Sequence, residues 1–187
     1  MKAAHPPYLI LAALMLTMAA TRFHHFLAVP DASWAVFFAG GFYLAGASRW
    51  AFPLLMLEAA AIDWIATQQL GVSSYCLTPA YAFLVPTHAV LWLGGRWLRR
   101  RATLDVRGLA AFAASALLAI SLAYLISNSS FYWLGGRVAP TSLAHFFTRS
   151  FVYYPHFLGV TALYLVALGA VQVLAMHLFA RRDTARF

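Results

Sequence analysis

The chain has 187 residues, of which 63% are apolar and only 10% charged, with a formal net charge of +8 and a mean hydropathy of +0.75. Soluble domains carry roughly 25% charged residues, so this composition excludes a water-exposed globule: most of the surface must face lipid. It also argues against nucleic-acid binding, because the cations form no basic face once the apolar runs are removed.

A bilayer core takes about 20 apolar residues per helix, and six stretches come close to this. The first spans about 8–26. It resembles a secretory leader, but continues into Arg22-Phe23-His24-His25-Phe26 without a small-x-small site, so it is read as a retained helix. The second spans 34–47, after the helix-start signal Pro30-Asp31-Ala32-Ser33. The third spans 51–70, with Pro53 in its first turn. The fourth spans 79–97, with Thr78 as N-cap and Pro79 at the first helical position. The fifth spans 109–126, where Ala110/Ala114 and Ala119/Ala123 offer small surfaces for close helix approach. The last spans 151–180, and Pro155 is expected to break or kink its start.

The predicted fold is therefore a single all-α transmembrane domain of six helices. With the N-terminus inside, the inner side holds ten of the 13 Lys and Arg residues and the outer side three: Arg22, Arg137 and Arg149. Cytoplasmic segments collect such cations. An even number of helices is needed to bring the two most basic segments together, which places both termini in the cytoplasm.

The reactive side chains gather in the outer loops, about 22–33, 71–78 and 127–150. Cys76, the only cysteine, precedes the fourth helix. The positive end of that helix favours thiolate over thiol, and a thiolate binds soft or borderline metals; the competing reading is a small apolar residue at a helix start. Asp63 lies seven residues from the outer end of the third helix, about 10 Å down, and an intramembrane carboxylate usually faces the bundle interior or a cavity. Glu58 is deeper and points about 140° away around that helix. His24 and His25 end the first helix, and His88 reads as packing. Arg149, Tyr153 and His156 form one stripe at i, i+4, i+7, and Tyr81 lies one turn into the fourth helix. Together these groups describe an outward-facing pocket for a polar, amphipathic solute. The chain has no GxxxxGK[ST] phosphate loop, hence no ATP site of that type, and no HExxH.

Four segments carry a resemblance: Arg22-Phe23-His24-His25-Phe26, Pro30 to Phe38, Ala61-Ile62-Asp63-Trp64, and Tyr75-Cys76-Leu77-Thr78-Pro79-Ala80-Tyr81-Ala82-Phe83. They resemble the BtuM family of small bacterial inner-membrane proteins of vitamin B12 uptake. The resemblance runs from the first helix to the last and is most specific around Cys76. It implies a bundle like the substrate-binding component of energy-coupling-factor transporters, with its site facing the periplasm. It further implies cobalamin as ligand, Cys76 as axial ligand to its cobalt, and removal of cyanide from cyanocobalamin at that cysteine. By resemblance, His24, Asp63, Tyr81 and Arg149 line the same pocket. Substrate-binding components that dock on a shared energising module often carry Ala-x-x-x-Ala on the first helix. Here the nearest pair is Ala13 with Thr17, which argues against such docking. Two other readings compete: a binding component for another vitamin, in which the cysteine is incidental, and a membrane haem protein ligated by histidines.

Overall fold

The computed structural model describes residues 6–23, 30–137 and 142–184. Among them every regular element is helical: α1 (Pro7–Arg22), α2 (Ser33–Tyr43), α3 (Ser48–Gln69), α4 (Leu84–Arg99), α5 (Val106–Leu134) and α6 (Leu143–Thr184). Short 3₁₀ turns at Ala45–Ala47, Ser74–Cys76 and Pro79–Phe83 join them. Three helical segments, Ala45–Gln69, Val106–Leu134 and Leu143–Leu174, are long and apolar enough to cross a membrane. α1 is apolar but has 16 residues, and α2 only 11.

Burial follows helical periodicity. On α1 the buried residues are Leu11, Leu14, Met18 and Thr21, one stripe, while Tyr8 and Leu16 are exposed on the other side. α2 differs: eight of its 11 residues are buried, so this short helix forms the centre of the bundle.

The packing of α2 on α4 explains why. Two pairs of glycines meet at their crossing. A Cβ on Gly41 would lie 1.9 Å from the Trp92 carbonyl oxygen, and one on Gly95 would lie 1.9 Å from that of Phe38. The helix backbones therefore touch, which side chains would prevent. The Trp92 ring covers Gly40 and donates through Nε1 to Ser48 Oγ at 3.0 Å. α5 closes the other side of α4. Ser115 Oγ donates to the Gly94 carbonyl at 2.8 Å, and Ala119 lies against Gly94. Of the two alanine pairs on α5, Ala119 and Ala123 are buried at this contact, whereas Ala110 and Ala114 face outward.

Several boundaries depart from the sequence expectation. The fourth helix does not begin at Pro79: that turn is 3₁₀ and the α-helix starts at Leu84. Thr78 occupies the cap position, but its buried hydroxyl has no partner among the described residues. Pro155 does not interrupt the last helix, which starts eight residues earlier than expected, at Leu143 rather than 151, and runs through it. Pro155 removes the N–H that would donate to the Phe151 carbonyl; one residue earlier, Tyr124 on α5 donates to the Ser150 carbonyl at 2.6 Å and ties this turn of α6 to α5. α5 begins at a cap the sequence reading did not name. Asp105 accepts from Thr103 Oγ1 and from the Gly108 N–H at 2.9 Å, and these hydrogen bonds hold its carboxyl below the usual range.

Because the α2–α4 contact has no room for a methyl group, Gly41→Ala and Gly95→Ala are each expected to destabilise the protein by about 1–3 kcal/mol. Gly46→Ala, where a Cβ would meet nothing within 4 Å, should change stability little. Thermal unfolding of the detergent-solubilised protein, comparing the three variants, measures this.

Candidate functional site at the Arg22 end of the bundle

Asp63 ends in a built ionic cluster. Arg22, the last residue of α1, grips it bidentately: Nε donates to Oδ1 at 2.7 Å and Nη2 to Oδ2 at 2.6 Å. The other arm of the guanidinium, Nη1, donates to Asp31 Oδ2 at 3.2 Å and to Ser33 Oγ at 2.8 Å. Asp31 in turn accepts from the Ser33 N–H at 2.9 Å and the Ser33 hydroxyl at 2.6 Å, which sets the first turn of α2. Tyr81, in the 3₁₀ turn before α4, donates its hydroxyl to Asp63 Oδ2 at 2.8 Å.

Four elements thus converge on one Arg22–Asp63 pair: the end of α1, the start of α2, the C-terminal half of α3 and the approach to α4. The side chains of Arg22 and Asp63 retain 13% and 23% exposure and that of Asp31 37%, so the cluster is half-sunk with one open edge. Two carboxylates face one cation. The formal excess of one negative charge suits a ligand that brings hydrogen-bond donors.

The sequence reading placed Asp63 and Tyr81 in one pocket, and the structure joins them directly. It missed Arg22. The signal was present: a carboxylate inside an apolar helix requires a cation, and Arg22 is one of three on that side of the predicted topology.

Cys76 lies in the loop between α3 and α4, its backbone forming the last residue of the turn Ser74–Cys76; only its backbone is described. This loop is held at two points. Tyr81 ties its far end to Asp63, and Arg137, just beyond α5, donates through Nε to the Tyr75 carbonyl at 3.2 Å and stacks 5.4 Å from the Tyr75 ring. Tyr75 also contacts Phe131 on α5, with ring centroids 5.7 Å apart. His24 lies outside the described residues.

Arg149 belongs to a second group. It stacks 5.9 Å from Tyr153, as the i, i+4 spacing predicts, and lines a small cleft with Asn128, Phe131, Tyr132, Phe146 and Ser150. Its cavity is about 20 Å³, room for little more than a water molecule. Phe131 faces both this cleft and Tyr75, so it connects the Arg149 group to the cysteine loop.

The remaining titratable groups of the apolar core stand apart. His88 is buried, its ring 4.1 Å from that of Phe37, and its Nδ1 bonds the Leu84 carbonyl of its own helix at 2.7 Å. That matches the packing role read from the sequence and makes Nδ1 the protonated nitrogen. Glu58 Oε2 is buried without a partner among the described residues.

Asp63→Asn is expected to cost about 2–3 kcal/mol of stability, because the fork to Arg22 becomes a weaker neutral contact and the arginine loses half its charge balance. Tyr81→Phe should cost about 1 kcal/mol. Arg22→Lys should not restore full stability, since an ammonium cannot form the two-pronged contact. A double-mutant cycle on Arg22 and Asp63, read by thermal unfolding, should return a coupling above about 1 kcal/mol. No family model and no curated protein matches the chain.

Proposed function

We propose that this chain is a six-span bacterial inner-membrane protein that takes up vitamin B12, with Cys76 as its cobalt ligand. Three spans follow from length and hydropathy alone. In this reading α1, α2 and α4 complete six, all three shorter than the others, with α2 and α4 extended by the adjoining turns. The arginine-rich end then faces the cytoplasm, and the Arg22 cluster faces the periplasm.

The observation that carries the reading is the Tyr81–Asp63 hydrogen bond. It ties the segment just after Cys76 to the ionic cluster between α1 and α3. A soft donor at a loop and a set of directional polar groups therefore belong to one end of the bundle. Cobalamin has needs that match: an electron-poor Co(III), a rim of amide side chains and a phosphate.

The chemistry is ligand exchange. The Cys76 thiolate donates an electron pair to cobalt on the lower face, displacing the nucleotide base. Its strong donation weakens the cobalt–cyanide bond on the upper face, and cyanide leaves with the bonding pair, so cobalt stays Co(III). In this reading Asp63, and Tyr81 through the lone pairs of its hydroxyl, whose proton goes to Asp63, accept from the corrin's amide N–H groups. Arg149 offers a guanidinium to the phosphate, with Arg22 holding Asp63 in place. Substitution of the upper ligand would trap the vitamin inside without an energising module.

Purified wild type and Cys76→Ala are expected to differ in visible spectrum after incubation with cyanocobalamin and removal of excess. Wild type should retain a corrin with a shifted spectrum, and the variant an unshifted one. No retained corrin in either protein would overturn the cobalamin reading. Equal, unshifted binding by both would leave a B12 binder without thiolate ligation.

A further inference from the structure

The opposite end of the bundle carries a cluster that the solute-binding reading does not use. Arg49, Arg96, Arg99, Arg100, Arg101 and Arg107 lie there, and the described carboxylate among them, Asp105, is committed to Thr103 and the Gly108 N–H. Neither salt bridge of the described residues involves these arginines. Two of the six have intramolecular work. Arg99 donates to the Phe42 and Tyr43 carbonyls at 3.4 and 3.1 Å, covering the frayed end of α2, and Arg101 lies 4.3 Å over the Trp97 ring.

Arg96 and Arg100 have no such partner among the described residues. They are exposed, Arg96 in the last turn of α4 and Arg100 at its C-cap four residues on, so two long guanidinium side chains leave the same helix end and can reach one phosphate. The same face continues towards the bundle middle with Trp97 at 41% and Leu93 at 57% exposure. Along α4 the order is thus apolar side chain, interfacial tryptophan, paired guanidiniums. That order matches acyl chain, glycerol level and phosphate of a lipid. Like charges one turn apart repel, and a bound anion removes that repulsion.

We propose that Arg96 and Arg100, flanked by Trp97 and Leu93, form a binding site for the headgroup phosphate of an anionic phospholipid. The proposal rests on the membrane reading above. Arg101 covers one face of Trp97; a soluble anion would satisfy the guanidiniums but would leave Leu93 and the remaining exposed part of Trp97 uncovered, which is why the site takes a lipid.

The test is reconstitution of the full chain into nanodiscs of equal parts phosphatidylcholine and phosphatidylglycerol, followed by native mass spectrometry of retained lipid. Wild type is expected to retain phosphatidylglycerol about tenfold over phosphatidylcholine. Arg96→Gln and Arg100→Gln should each lose most of that preference, whereas Arg49→Gln, which removes an equal charge from the same end, should keep it. An equal drop in all three variants would assign the preference to diffuse surface charge and overturn the site. So would displacement of the lipid by millimolar inorganic phosphate. A chain that enters the discs but shows no preference loses the lipid site alone; a chain that stays outside the discs loses the membrane reading as well.

Discussion

A carboxylate on an apolar helix must be balanced within the bundle, and the pairing of Asp63 with Arg22 is the constraint around which this end of the molecule is arranged. The guanidinium has donors in a fixed planar fork. Two arms close on Asp63 of α3 while Nη1 reaches Asp31 and Ser33 at the start of α2. α1 is thereby locked to α2 and α3 at a set depth. Tyr81 adds the approach to α4 through the free side of the same carboxylate. Removing one member leaves the others with charge or donors in a half-buried setting, where the loss exceeds the value of any single hydrogen bond.

The second constraint is steric and lies deeper. Gly41 and Gly95 let α2 and α4 meet backbone to backbone, and Gly94 receives Ala119 of α5. Close van der Waals contact of this kind holds helices together where apolar surroundings give no hydrophobic drive for their association. This accounts for an 11-residue helix at the centre of a bundle in which α3, α5 and α6 are two to four times longer. A polar clasp at one end and a tight apolar crossing in the middle divide the work. The clasp orients the helices, and the crossing holds them.

The functional groups follow the same division. The Arg22 cluster and the Arg149 cleft are separate assemblies, and the loop carrying Cys76 runs between them, touching one through Tyr81 and the other through the Tyr75–Phe131 contact. A ligand seated over that loop could reach both. Asp63 accepts two hydrogen bonds from Arg22 and one from Tyr81, so a further donor would share the carboxylate with them.

Much of this was legible in the sequence. Apolar run length and the bias of arginines gave the all-helical character, the approximate helices and the grouping of polar residues at one end, because hydropathy and charge are local properties. The i, i+4 relation of Arg149 to Tyr153 followed from helical spacing, whereas the same spacing in Ala110/Ala114 and Ala119/Ala123 did not tell the exposed pair from the buried one. Other features depend on which helices become neighbours. Arg22 and Asp63 are 41 residues apart, and nothing local distinguishes Arg22 from any cation at a helix end. The tie between Tyr124 and the Ser150 carbonyl depends on α5 lying beside α6, which no local pattern gives. The glycines of α2 and α4 carry no periodic signal that tells a tight crossing from flexible chain. Composition and periodicity determined that the chain folds as apolar helices with a polar end; the tertiary structure alone decided which charges meet, because pairing depends on distance across the bundle and not on separation along the chain.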